Sequence, residues 1–175
     1  MKKISIIGPE SSGKTTLANS LSKLLKESFV DEYARSYVSK NKNYSISSLE
    51  IIAQKQSQII EEKKRKVKKI LISDTSIIDI LIWSEFKYNQ CSQKIKQMAK
   101  NEFFDYYLLC KPDFPWVKDP LRENPTGRNK IFNLFKLHLK QKNANYKIIR
   151  GSHSNRLLSS LSFIKLFSSK SLTTG

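Results

Sequence analysis

Eight residues near the amino terminus carry the most specific chemistry in this chain. Gly8-Pro9-Glu10-Ser11-Ser12-Gly13-Lys14-Thr15 is a complete G-x-x-x-x-G-K-[ST] pattern. A loop of this kind bends on its glycines so that successive backbone N–H groups point inward at phosphate oxygens. The lysine reaches the outer phosphates, and the threonine hydroxyl can hold Mg2+. A helix starting at the loop adds the positive end of its dipole. Gly8, Glu10, Ser11, Ser12, Gly13, Lys14, Thr15 and Thr16 are therefore the candidate nucleotide-binding residues, with ATP and Mg2+ as the expected cofactors. An acid at the end of another buried strand is needed to orient the metal, and Ile70-Leu71-Ile72-Ser73-Asp74 has that form. Asp74 is expected at the metal beside Thr15, although an Asp in that place can also simply cap a turn.

A second source of phosphate chemistry lies between Lys111 and Gly127, a stretch holding four of the five prolines. A long irregular segment inside a compact domain usually serves as a lid or binding loop. Residues 112–128 are the expected lid, with Lys118 to Glu123 at its centre. Arg122 and Arg128 are two of only six arginines, and planar guanidinium groups there could take charge from a transferring phosphoryl group. A solvated basic loop paired with Asp119 and Glu123 is the alternative.

Strands and helices alternate around these residues. Ile4–Ile7 reads as a strand, and Leu17, Leu21, Leu24 and Leu25 recur at helical spacing after it. Phe29-Val30 is a short strand, Tyr33–Ser39 a helix, and Ser48 a cap for a long helix carrying Leu49, Ile52, Ala53 and Ile60 on one face. After the strand at 70–74, the apolar run from Ile77 to Trp83 reads as helix from its polar continuation. Tyr106–Cys110 and Tyr146–Ile149 are strands. Asn129–Lys142 and a last segment with Leu157, Leu158, Leu161, Ile164 and Phe167 are helices. This alternation predicts an α/β fold with a five-stranded parallel sheet covered on both faces. With its phosphate loop and lid candidate, a chain this short most resembles the nucleoside and nucleotide kinases, three-layer P-loop NTPases with a lid loop. One kinase domain is expected over residues 1–167, with a polar, frayed tail over 168–175.

Composition excludes several classes. The 175 residues carry a net charge of +17, which raises a nucleic-acid reading. However, 26 of the 32 basic residues are lysine, and the run Lys63 to Lys69 would cover most sides of a helix rather than one stripe. A solvated surface is the expectation, with no nucleic-acid partner. Two cysteines, Cys91 and Cys110, are too few for a zinc cluster or disulfide framework. The apolar run at residues 4–7 is too short for a signal peptide, and no stretch is long enough for a membrane span. A cytoplasmic location and no membrane partner are expected.

Several blocks together resemble a known family. They are Gly8 to Leu17, Glu32-Tyr33-Ala34-Arg35, Ile52-Ala53-Gln54-Lys55-Gln56, Ser73-Asp74-Thr75, Ile82-Trp83-Ser84, and Pro112 to Arg122. In this order they resemble the ribosylnicotinamide kinase domain of bacterial NadR proteins, an AAA-type ATPase/kinase domain family, over residues 3 to 165. The resemblance implies a phosphotransferase: transfer of the ATP γ-phosphoryl group to the 5′-hydroxyl of nicotinamide riboside, giving nicotinamide mononucleotide for NAD synthesis or salvage. Members of that family usually carry an adenylyltransferase domain before the kinase; here Met1 directly precedes the first strand, so none is expected.

The resemblance also suggests roles for further residues. Glu32 stands where related kinases place the carboxylate that takes the proton from the attacking hydroxyl, with Asp31 and Asp74 as competitors and an ion pair to Arg35 as the alternative. Arg35 could hold a phosphate or a ribose hydroxyl. Trp83 and Trp116 could stack on the flat, cationic nicotinamide ring, although Trp83 could equally be core; Asp113 could attract its charge or the ribose hydroxyls. Arg156, after the fifth strand, is expected to flank or stack on adenine, unless it is an exposed helix-cap arginine. The competing functions are phosphoryl transfer to another nucleoside or nucleotide, and a nucleotide-gated binding protein.

Overall fold

The computed structural model describes residues 1–41, 43–119 and 122–170, without the side chains of 165–170. Pro120 and Leu121 of the expected lid and residues 171–175 of the expected tail lie outside the described residues.

The chain runs β1 (Lys2–Ile7), α1 (Lys14–Leu25), β2 (Phe29–Val30), α2 (Tyr33–Lys40), α3 (Ile46–Lys64), β3 (Ile70–Asp74), α4 (Ile77–Tyr88), α5 (Gln93–Asn101), β4 (Tyr106–Cys110), α6 (Arg128–Gln141), β5 (Tyr146–Ile149) and α7 (His153–Lys170). The five strands form one sheet in the order β2-β3-β1-β4-β5, with every pairing parallel. Parallel strands need crossover connections, and the helices supply them on both faces. On one face, Ile4, Ile6, Ile72 and Leu108 pack against Leu17, Ala18 and Leu21 of α1 and Ile164 of α7. On the other, Ile7, Leu71, Tyr107 and Leu109 pack against α3, α4, α5 and α6 through Ile52, Ile78, Ile95 and Phe135. Alternate residues of β1 thus enter opposite cores, as the two-residue period of a strand requires.

Local chemistry sets several boundaries differently from the sequence expectation. The α3 cap is Ser45, and Ser48 sits three residues inside the helix, accepting from the Ser45 N–H at 3.1 Å. The apolar run from Ile77 stops at Tyr88, where Asn89 takes a left-handed φ of 52°, and a separate α5 follows. The α3 helix ends at Lys64, so the basic run 63–69 is mostly a turn into β3 rather than a helix. Leu24 and Leu158 point to solvent, whereas Leu17, Leu21 and Ile164 of the same apolar sets are buried. Helix α7 runs through Lys170, past the expected start of the tail at 168.

Ile6 is fully buried in the sheet centre, whereas Leu137 on α6 is half exposed. Ile6→Ala should cost about 2–5 kcal/mol in urea denaturation, while Leu137→Ala should stay within about 0.5 kcal/mol.

Candidate active site

Register brings the chemistry together. β1 pairs with β3 so that Ile6 lies opposite Asp74, and the chain after Ile7 turns into the phosphate loop at the carboxyl edge of the sheet. Gly8 has a φ of 141°, and a Cβ there would lie 2.6 Å from the Cys110 carbonyl oxygen at the end of β4. Only glycine fits such an approach. Gly13 caps α1 in the left-handed region, with φ 80°. Ser11 and Thr75 also have positive φ, at 52° and 73°. A β-branched residue is rarely held there, and both residues line the same cleft.

Inside the loop, the Lys14 ammonium donates to the Gly8 and Pro9 carbonyl oxygens at 2.7 and 3.1 Å. The Thr15 hydroxyl donates to Asp74 Oδ2 at 2.6 Å. The other Asp74 oxygen is buried without a hydrogen-bond partner among the described residues. Burial, reinforced by Glu32, raises the Asp74 carboxyl to about 6 against the opposing pull of Lys14. Two hard oxygen ligands beside a phosphate cradle fit Mg2+, which commonly takes one or two protein ligands and completes its shell with phosphate oxygens and water. Among the described residues no cluster of three or more acids, histidines or cysteines offers a metal a different seat.

The cleft beside the loop is lined by Glu32, Arg35, Tyr44, Gln56, Asp79, Trp83 and Arg122. Glu32 caps α2 and pairs with Arg35 at 3.5 Å. Arg35 also reaches Asp119 of the lid at 3.5 Å. The Tyr33 N–H is held by Gln56 Oε1 at 2.8 Å, which anchors this corner to α3. Arg122 donates to the Val117 carbonyl oxygen at 2.8 Å and keeps a buried Nε without a hydrogen-bond partner among the described residues. Trp83 lines the cleft and donates to the Tyr44 hydroxyl at 3.0 Å.

Other expected site residues hold loops in place. Arg156 is 1% exposed. It donates to the carbonyl oxygens of Ser12, Gly151 and Lys111 and to Asp113, with its guanidinium stacked 4.3 Å from the Phe114 ring centre. This corrects the expected stacking on adenine, because the group is enclosed and fully engaged. Asp113 accepts from Arg156 and from the Gly151 N–H, and so clamps the loop after β4 to the one after β5. Arg128 turns to backbone, donating to the Phe114 carbonyl at 2.9 Å and that of Ser11 at 3.4 Å. Trp116 donates to Glu10 at 2.8 Å. Glu10 also accepts from the N–H groups of Glu123 and Asn124 at 3.1 and 2.6 Å, so its carboxylate pins the lid to the phosphate loop. Thr16 is exposed on the first turn of α1 and lines the cleft.

Two cleft residues escaped the sequence reading. Asp79 accepts from the Gly8 N–H at 3.4 Å and the Ser76 N–H at 2.9 Å. Its only sequence signal was a helix cap three residues after Ser76. Tyr44 precedes α3 and gave no signal. Behind Asp79, the Glu102 carboxylate accepts the Ile77 N–H at the start of α4. Burial lifts Asp79 to about 7 and Glu102 to about 8.

Groups with raised carboxyl pKa values hold protons more tightly folded than unfolded. Their stabilisation is therefore complete at low pH and lost as pH rises from about 4.5 to about 8. The urea midpoint should fall over that range, and Glu102→Gln should flatten the fall. In a Trp83→Phe background, Glu10→Ala should red-shift the fluorescence of the remaining Trp116 by freeing its indole; an unmoved spectrum would show that Glu10 does not hold the lid.

With this geometry in place, similarity to known proteins becomes informative. A family model described as an AAA domain matches residues 3–156. The trifunctional NAD biosynthesis/regulator proteins NadR of Salmonella typhimurium and Escherichia coli are 26% and 25% identical to this chain, over 94% of its length. The chain spans 42% of each of these relatives. Among solved structures, NadR protein in complex with NR superposes with a TM-score of 0.74 at 16% identity, covering 93% of this chain and 50% of the other. NadR protein with NAD and AMP-PNP gives 0.77 at 17%, over 93% and 48%. Thymidylate kinase from Ehrlichia chaffeensis gives 0.71 at 16%, over 94% and 98%. Structural likeness at such identities establishes a shared fold, here one found in P-loop kinases, and the match over residues 3–156 establishes more: the chain belongs to the AAA domain family.

Proposed function

We propose that this chain is an ATP-dependent kinase of a small nucleoside, and that its acceptor is nicotinamide riboside, phosphorylated at the 5′-hydroxyl. The observation that carries the proposal is the convergence of the phosphate loop, Glu32 and an aromatic wall of Tyr44 and Trp83 on one cleft. Similarity to NadR proteins, one of them solved with NR, supports the choice of acceptor.

In this mechanism the backbone N–H groups of residues 10–15 and the α1 amino terminus bind the ATP phosphates. Lys14 leaves the Gly8 and Pro9 carbonyls to reach the outer phosphates. Thr15 and Asp74 would hold Mg2+, which would neutralise charge on the phosphates. In this reading Glu32, which lines the cleft, is the base; Asp31 is exposed, and Asp74 is engaged with Thr15. As the acceptor oxygen bonds to the γ-phosphorus, Glu32 takes the hydroxyl proton and the bond to the β,γ-bridging oxygen breaks, releasing ADP. Arg122 faces the cleft and supplies positive charge as the phosphoryl group moves. Arg35 steadies Glu32 and the lid residue Asp119.

Riboside-dependent ADP release with Mg-ATP is the direct assay. Lys14→Ala should reduce kcat/KM by at least about 10²-fold. Glu32→Gln should reduce kcat by about 10²- to 10⁴-fold while leaving binding of AMP-PNP within about twofold. Because the fold is shared with thymidylate kinase, the acceptor panel should include thymidine and thymidylate. Turnover with those and none with the riboside would replace the acceptor proposed here, and ATP binding without acceptor-stimulated turnover would favour a nucleotide-gated binding protein.

A further inference from the structure

The aromatic wall of the cleft has a cation behind it. Lys87 of α4 places its ammonium 3.9 Å from the centre of the Tyr44 ring, and 6.0 and 5.6 Å from those of Trp83 and Tyr88. Left uncompensated, a full positive charge against this wall would repel a cationic base stacked in the cleft and leave a neutral one almost unaffected. Among the described residues one acid lies within ion-pair distance of Lys87: Glu123 of the lid, whose Oε2 is 2.8 Å from the ammonium. Its Oε1 accepts from the Tyr44 hydroxyl at 3.0 Å. The same hydroxyl accepts from Trp83 Nε1, and the Tyr88 hydroxyl donates to the Tyr44 carbonyl at 3.2 Å. One carboxylate therefore both positions the Tyr44 ring and cancels the charge behind it.

We propose that Glu123 is a specificity-determining residue for the acceptor: its carboxylate neutralises Lys87 behind the Tyr44–Trp83 wall and so lets that wall accept a cationic base. This rests on the nucleoside-kinase reading above. Glu123 acts through Tyr44 and Lys87 and is a positioning residue, not a catalytic one. Its backbone N–H is held by Glu10 of the phosphate loop, so the counter-charge is in place when the lid lies on that loop.

Binding separates charge compensation from simple structural damage. Nicotinamide riboside is cationic, and its dihydro form is neutral on the same ribose. Calorimetric titration of both into the wild-type chain, Glu123→Gln, and the Glu123→Gln/Lys87→Met double variant reads the effect directly. Glu123→Gln keeps the shape of the side chain and one acceptor oxygen for the Tyr44 hydroxyl while removing the charge. It should weaken binding of the cation about tenfold and of the neutral form by less than about twofold. Removing the exposed charge at Lys87 in the double variant should return cation binding to within about threefold of wild type. Equal weakening of both ligands, no weakening of either, or no recovery in the double variant would overturn the assignment, as would a wild-type chain that binds neither form. Riboside binding with the predicted charge dependence but no phosphoryl transfer would sink the kinase function and leave the role of Glu123 standing.

Discussion

The parallel pairing of β1 between β3 and β4 is the constraint on which the cleft depends. It sets Ile6 opposite Asp74, which brings the end of β3 to the start of the phosphate loop and allows the 2.6 Å contact between Thr15 and Asp74. It also brings the Cys110 carbonyl so close to Gly8 that no side chain could stand there. A one-residue slip would turn Ile4 and Ile6 out of the core they share with α1 and carry Asp74 away from Thr15. Packing energy on two faces thus fixes a Thr15–Asp74 contact that the two side chains by themselves could not assemble.

Much of the charge near the cleft serves to hold loops. Arg156, Arg128 and Glu10 each make several hydrogen bonds to backbone groups or neighbouring side chains of the phosphate loop and lid. A buried arginine is costly unless its donors are satisfied, and carbonyl oxygens of tight loops are the acceptors at hand. The same economy runs through the lid: Asp119 reaches Arg35, and Glu123 reaches Lys87 and Tyr44. The phosphate loop and the Arg35 and Tyr44 corners of the cleft are therefore joined through one short stretch of chain. Of the basic residues behind the net charge of +17, Lys14, Arg35 and Arg122 are the ones that line the cleft among the described residues.

The site also carries a standing cost. Asp74, Asp79 and Glu102 are acids in surroundings that favour their neutral forms. With Ser11 and Thr75 held at positive φ, the region around the phosphate loop concentrates both electrostatic and backbone strain. Such strain persists only where surrounding packing over-determines the conformation, and here the two cores on either face of β1 provide it.

The sequence by itself determined the strand–loop–helix of the phosphate site, the five parallel strands, and Asp74 as the acid at the end of β3. These features rest on local pattern: alternation, helical spacing, and a loop whose glycines are dictated by backbone geometry. The blocks around Glu32 and Trp83 were legible through their resemblance to a family, since nothing in their spacing alone requires a cleft. Only the tertiary structure decided that Arg156 and Asp113 clamp each other, that Glu10 holds the lid, and that Tyr44 and Asp79 line the cleft. Each of those contacts joins residues far apart in the chain, except the one between Asp79 and its own helix cap. An arginine at a helix start looks the same in sequence whether its guanidinium faces solvent, a ligand or a buried carbonyl; the difference arises when the loops fold over it and remove the water.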